Sequence, residues 1–355
     1  MNLFRPAIRL HGAPRVRLVA AVLPGLLAVS VPALLLRTLP AQSPFAALVV
    51  SSNTNGNAGG GIFDPTNALG APLGSTNVHS LGIAGQLTLE FVPPIVDRPG
   101  ADLIVAENPF RLAGNETNTF AEVAFVEVSS NGVDFVRFPA RYFGAPAWPG
   151  AFGTVPVGAY GNLAGQTPML ATTPGADPLD LVEAGGDAFE LGDLLGEPLV
   201  VAGLVDLQAV RYVRLVDVPS GVTVDSVGTT IFDAGSGSAD IDAVTAVHQQ
   251  GPIVGSPPNV ALTILTDGTI ALRIEDRDGA SDLDPASLRI ALFGLPFADP
   301  LDFLTGAFAV VGIDATGYTL VQPFPLPDTQ RFTFTVSVKD LAGNRTGQSR
   351  TRPLP

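Results

Sequence analysis

Gln86-Leu87-Thr88-Leu89-Glu90-Phe91 alternates without a break, placing Leu87, Leu89 and Phe91 on one side and Thr88 and Glu90 on the other. Successive Cβ atoms of a pleated chain point to opposite faces, so a side-chain period of two marks a strand with one face buried. Pro93-Pro94 follows and ends the run, because proline has no N–H to give to a ladder. The same reading extends outward. Ala46 to Val50 is a short apolar run before a glycine-rich loop, while Ala101 to Ala106 and Ala121 to Val128 are apolar enough for strands buried on both faces. Val210 to Val216 and Asp240 to Val247 predict further strands. In the first of these, alternation puts Arg211 and Arg214 on opposite faces, so one Arg is expected near a sheet edge with its stem packed. Val126 to Phe138 predicts a hairpin turning at Asn131-Gly132, where a type I′ turn needs positive φ at both central residues. A short helix is expected over Ala188 to Leu195 and a strand over Leu199 to Leu204.

Composition points the same way. Of 355 residues, 39 are Gly and 32 Pro, which leaves little room for long helices, and 46% hydrophobic against 15% charged residues gives ample surface to bury. The expected fold class is all-β. At roughly 150 residues per domain the length suits two domains: a first over 44–248, and a second over 260–350. The segment 249–259 between them carries Gly251-Pro252, Gly255 and Pro257-Pro258 and reads as a stiff linker. Beyond it, alternating runs at Val260 to Leu265, Thr269 to Ile274, Ser287 to Leu292, Ala307 to Ile313 and Arg331 to Val338 have the strand spacing of an Ig-like β-sandwich.

Residues 1–43 read as a signal peptide. They hold Arg5, Arg9, Arg15, Arg17 and Arg37 and no acid, and Leu18 to Leu36 is apolar but interrupted by Pro24, Gly25, Ser30 and Pro32. Small residues follow at Ala41-Gln42-Ser43, as cleavage requires. An uncleaved anchor is the alternative, since the run approaches the roughly 20 residues a bilayer demands. No Arg-Arg pair is present, which favours the general secretory route. The expected product is secreted or held at the cell surface, with no stable membrane span after cleavage. The rest of the chain carries 14 Lys and Arg against 33 Asp and Glu, a formal charge of −19. Such a surface repels phosphate backbones, so nucleic-acid binding is excluded. Zero cysteine removes disulfides, thiolate metal sites and cysteine nucleophiles, so packing must supply the stability.

Six ordered segments of the first domain carry a family resemblance: Phe63 to Pro72, Gly100 to Asn108, the Val128 to Phe138 hairpin, Gly185-Gly186-Asp187-Ala188-Phe189, Arg211 to Leu215 and Asp240-Ile241-Asp242-Ala243-Val244. Together they resemble bacterial cell-surface proteins of planctomycete and myxobacterial type, whose body is a discoidin-like or galactose-binding-like jelly roll. The resemblance implies a jelly-roll β-sandwich over 44–248. The second domain, through Glu275-Asp276-Arg277-Asp278-Gly279 and Val338 to Asn344, is similar to the Ig-like or cadherin-like modules of exported adhesins. In those modules any metal is usually calcium held between loops, which brings Asp340 into consideration beside Asp276 and Asp278.

Asp276, Asp278, Asp282 and Asp284 are spaced so that several carboxylates can surround one hard cation, which prefers six to eight oxygens. The pattern departs from an EF-hand loop, and Asp and Gly are also what a tight turn needs. Asp240 and Asp242 fall on one face of a strand and would repel unless a cation, an Arg or water lies between them. The family resemblance suggests that one of them, with Glu107 and Asp187, lies near a structural ion. Solvation, or pairing with Arg211 or Arg214, is the competing explanation. Calcium is therefore the one expected cofactor.

No catalytic residue is expected. Outside the signal only His79 and His248 remain, and neither H-E-x-x-H nor G-x-S-x-G occurs. The long segment Pro139 to Gly175 carries Tyr142, Trp148 and Tyr160, which either form an apolar shelf for a ligand or pack beneath the loop. The sequence thus predicts a non-catalytic binding or structural protein whose partner is an extracellular glycan or a surface protein, the alternative being a carbohydrate-binding or carbohydrate-active protein.

Overall fold

Leu87, Leu89, Phe91 and Ile95 have no exposed surface, as their alternation requires, in a computed structural model that describes residues 43–352 except 58, 75, 112–114, 116, 235–236, 266, 268, 295–307 and 323–330. The expected signal peptide lies outside the described residues but for Ser43, as does Ala307 at the start of one expected strand. The first sandwich uses β1 (Leu48–Asn53), β2 (His79–Ser80), β3 (Gln86–Ile95), β4 (Leu103–Glu107), β5 (Asn118–Thr119), β6 (Ala124–Ser129), β7 (Val136–Arg137), β8 (Arg141–Tyr142), β9 (Val155–Pro156), β10 (Tyr160–Gly161), β11 (Asp187–Phe189), β12 (Val210–Asp217) and β13 (Asp240–Ala246). Two antiparallel sheets, ordered β1-β3-β12-β6-β7 and β11-β4-β13-β2, face each other in a jelly-roll β-sandwich. Leu87, Leu89, Val126, Val128, Val213 and Leu215 from one sheet pack on Leu103, Val105, Ile241 and Val244 from the other. The strand pairs β8–β10 and β5–β9 lie in the connections.

The second sandwich is Ig-like. Its strands are β14 (Asn259–Ile264), β15 (Ile270–Glu275), β16 (Leu283–Phe293), β17 (Ala309–Ile313), β18 (Gly317–Val321), β19 (Phe332–Asp340) and β20 (Arg345–Arg352). The sheet orders β14-β15-β18-β17 and β16-β19-β20, lettered A to G along the chain, read A-B-E-D and C-F-G, the arrangement of an Ig constant-type domain. Val260, Leu272, Ile290, Leu292, Phe334 and Val336 fill its core. Two strands exceed the five expected. Strand β20 has no apolar alternation because it is an edge: its Thr351 and Ser349 hydroxyls bond Thr333 and Thr335 of β19 at 2.9 and 3.1 Å.

Several local expectations are corrected. Asn131 is absent from the residues of positive φ, while Gly132 has φ 76°, so the hairpin does not turn through a type I′ dipeptide. Instead Asn131 Oδ1 accepts from the amides of Val133 and Asp134 at 2.8 and 2.9 Å, closing a wider loop. The expected helix over Ala188 to Leu195 resolves into the end of β11 and a 3-10 turn at Leu191–Leu194. The expected strand over Leu199 to Leu204 begins as helix α2 (Pro198–Val201), with proline at a first-turn position where its missing N–H costs nothing. Neither Arg of β12 sits at a sheet edge. A register shift between Val210 and Tyr212 turns Arg211 outward to Glu90 at 2.6 Å, and Arg214, also on the outer face, pairs with Glu127 and lies 3.8 Å from the Phe135 ring centroid.

Contacts between the sandwiches run well beyond 249–259. Helix α1 (Leu181–Ala184) is capped by Asp180, whose Oδ1 accepts from the Val182 and Glu183 amides and from Ser337 Oγ at 2.7 Å. Asp177 receives Lys339 Nζ at 2.9 Å and Arg345 Nη1 at 3.0 Å. Burial alone would raise the Asp177 pKa, but the Lys339 hydrogen bond, the Leu179 amide and Arg345 outweigh it and hold it at about 2. Val182, Ala291 and Phe293 add a small shared apolar cluster, with Val157 and Leu170 against it. Among the described residues no helix is long and apolar enough to cross a membrane.

Candidate functional site

The loop that follows β15 brings Asp276, Asp278 and Asp282 together, with one carboxylate oxygen of each lying within 4.8 Å of the others. Asp276 is held inside by its own amide, which donates to Thr316 O at 2.9 Å. Its Oδ1 accepts from the Asp278 amide at 2.7 Å, whereas its Oδ2 is buried with no hydrogen-bond partner. Burial raises the Asp276 pKa, and the charges of Asp282, Asp278 and Asp340 add to the rise. Asp278 Oδ2 accepts from the Ser256 amide at 2.6 Å, which fastens the 249–259 segment to this loop. Asp340 closes the far side at the end of β19, its two oxygens accepting from the Asn344 amide and side chain at 2.8 and 2.6 Å. Leu341 N donates to Asp282 O at 2.7 Å, so the two acidic turns are joined through backbone. Asp284 lies apart, on β16, and accepts from the Ala286 amide.

In the first sandwich the expected acids separate into two kinds. Asp187 Oδ2 accepts from the Gly165 and Gln166 amides at 2.7 and 2.9 Å, and burial still raises its pKa to about 6. Asp242 accepts from the amides of Leu73 and Gly74 at 3.0 and 2.9 Å. Both anchor loops. Asp240 and Asp242 do not act as a same-face pair, because the register of β13 against β4 shifts between Ile241 and Ala243 and gives each acid its own neighbours. Glu107, 1% exposed at the end of β4, accepts from the Asp240 amide at 2.9 Å through Oε1, while Oε2 is buried and unpartnered. Burial pushes the Glu107 pKa well up, helped by Asp240, Glu122 and Asp187.

Glu122 joins this group without having been expected. Burial and the Asp240 charge raise its pKa to about 7, against a hydrogen bond from the Gly237 amide at 3.0 Å. Its only sequence signal is one acid inside the apolar run Phe120 to Phe125. Glu107, Glu122 and Asp240 line one cleft of about 650 Å³.

A third acidic group, Asp97, Asp102 and Glu190, was also missed, and it is tied to His248. Asp102 Oδ1 lies 2.8 Å from His248 Nδ1 and accepts from the Arg98 amide, while Oδ2 accepts from the Leu191 amide. His248 Nε2 faces the Arg345 carbonyl at 2.9 Å, so it donates there. Its oxygens already used, Asp102 holds His248, whose Nε2 in turn reaches Arg345 of the second sandwich. His79 is buried beside Ser52 Oγ, 3.2 Å away.

The aromatic residues of the long connection are divided. Tyr142 and Tyr160 pack together with ring centroids 5.5 Å apart, and their hydroxyls donate to Ala145 O and Phe232 O, both at 2.8 Å. Trp148 is 56% exposed, so the three do not form one shelf. No model of a known protein family matches the chain, and no curated protein does either.

Proposed function

We propose that the protein is an exported binding or structural component, secreted or held at the cell surface and without a reaction of its own, whose second sandwich takes a structural calcium ion at Asp276, Asp278 and Asp282. The observation that carries the cation is Asp276 Oδ2, a buried carboxylate oxygen without a partner inside a convergent set of three acids. Leaving such an oxygen unpaired costs on the order of 1–3 kcal/mol, and a hard cation with six to eight oxygen ligands, water among them, would satisfy it. Asp340, already bonded to Asn344, would act through its charge and by holding the neighbouring turn. The non-catalytic reading is supported by the two histidines His79 and His248, both buried and bonded to Ser52 and Asp102 rather than facing a cleft.

Thermal melts test the cation. Added calcium is expected to raise the melting temperature and a chelator to lower it, since a ligand bound only by the folded chain stabilises it by about 2.7 kcal/mol at a hundred times its Kd. Asp276→Asn should abolish the response. Identical melts in calcium and in chelator would remove the ion from this loop.

A further inference from the structure

We propose that the cleft lined by Glu107, Glu122 and Asp240 binds a small organic amine, with the protonated ammonium set among the three carboxylates and the body laid against Phe110. The inference is independent of the cation at Asp276. The cleft, at about 650 Å³, falls in the size range of small-molecule sites. Among the described residues that line it there is no Lys or Arg to neutralise its acids. Glu107 carries the unsatisfied atom: the residue lines the cleft, and its Oε2 is buried with no hydrogen-bond partner.

The rest of the wall fits an organic cation. Phe110 and Phe120 stack with centroids 4.7 Å apart and 18° between ring planes, held by a reciprocal pair of backbone hydrogen bonds between the two residues. Phe110 is nonetheless 47% exposed, so its ring is open to a ligand. An aromatic face attracts a cation through its quadrupole and receives hydrocarbon equally well. Met169 supplies further apolar wall, and Asn108 and Thr172 offer polar groups for hydroxyls or amides.

A bare divalent ion fits less well. Calcium draws its oxygens to 2.3–2.6 Å from one centre, and the acid triples that converge within 4.8 Å among the described residues are those at Asp276 and at Asp102, not this one. An ammonium instead needs only one carboxylate oxygen at hydrogen-bonding distance, here Glu107 Oε2, and draws on the charge of the other two acids from further away. Two sources share this chemistry: an amino sugar and a lysine side chain.

Calorimetric titration of the full chain in saturating calcium tests the site with glucosamine, Nα-acetyl-lysine amide and, as the uncharged control, N-acetylglucosamine. Saturable binding of either amine with none of the control is the expected result, and the preferred amine identifies the source. Glu107→Gln should weaken it by about ten-fold or more, the loss of one charge-assisted hydrogen bond, and Glu122→Gln should weaken it through the loss of a neighbouring charge, each keeping the calcium-dependent melt of the parent. Asp276→Asn should lose the calcium response and keep the amine, which separates the two sites. Equal binding of N-acetylglucosamine, no saturable binding of either amine, or amine affinity unchanged in both Gln variants would overturn the proposal.

Discussion

His248 and Asp102 have one proton to share. With His248 Nε2 donating to a carbonyl, the 2.8 Å contact at Nδ1 needs a hydrogen on one side or the other. Burial lowers the His248 pKa to about 4, and raises those of Asp102 and its neighbour Glu190, so the proton rests on the acid at neutral pH. Asp217, buried like Asp187, is pushed up to about 6 in the same way. Acids with raised pKa hold protons in the folded chain where the unfolded chain, titrating near pH 4, has lost them. Their contribution is complete below about pH 4 and is lost as the pH climbs through the folded values. His248 works in the opposite sense, because the unfolded imidazole takes up a proton below about pH 6.5 and the buried one does not. In calcium-free buffer the melting temperature should therefore rise as the pH falls from about 9 to about 6.5, with Asp102, Glu190 and Glu122 titrating, and flatten below as His248 offsets the remaining acids. A melting temperature that climbs with pH over that interval would contradict the assignment. Glu122→Gln should reduce the slope near pH 7.

At the scale of elements, strands were legible by alternation where burial falls on one face and by apolar length where both faces are buried. Strand β3 announces itself by alternation, and β4 and β6 by length and apolarity. Helix α2 misled because Leu199-Val200-Val201 has strand-like composition, yet Pro198 starts a helical turn there. Of the two Arg of β12 only Arg211 changed face, because the shift between Val210 and Tyr212 takes it out of line with buried Val213 and Leu215, while Arg214 lies opposite them as the alternation has it. Strand β18 opens on Gly317, where a Cβ would stand 1.9 Å from Ile274 O, so the sequence shows a glycine rather than a strand former at the place of closest approach. Gly317→Ala is expected to cost about 2–4 kcal/mol by forcing β18 from β15, read as a lowered denaturation midpoint with an unchanged slope. The acidic loop at Asp276 was visible because its members are close in sequence. The cleft was not, because Glu107, Glu122 and Asp240 come from β4, the lead into β6 and the start of β13, and only sheet pairing brings them together.

Over the whole molecule, the two sandwiches act on one another through side chains that the linker reading did not anticipate. Both lie in one compact unit, with Asp177, Asp180 and Glu183 of the first reaching Lys339, Arg345, Ser337 and Arg289 of the second. One calorimetric transition is expected for the parent chain. Replacing Asp177 and Asp180 together by Ala removes two half-buried ion pairs and the cap of α1, a loss of about 2–4 kcal/mol, and should split the endotherm into two. A parent that already melts in two steps would show that these contacts contribute little. The contacts along α1 and β19 have a mechanical consequence. Tension applied across the pair would load this lateral seam in shear before it straightened the proline-rich segment, giving a stiff strut where two beads on a string would bend.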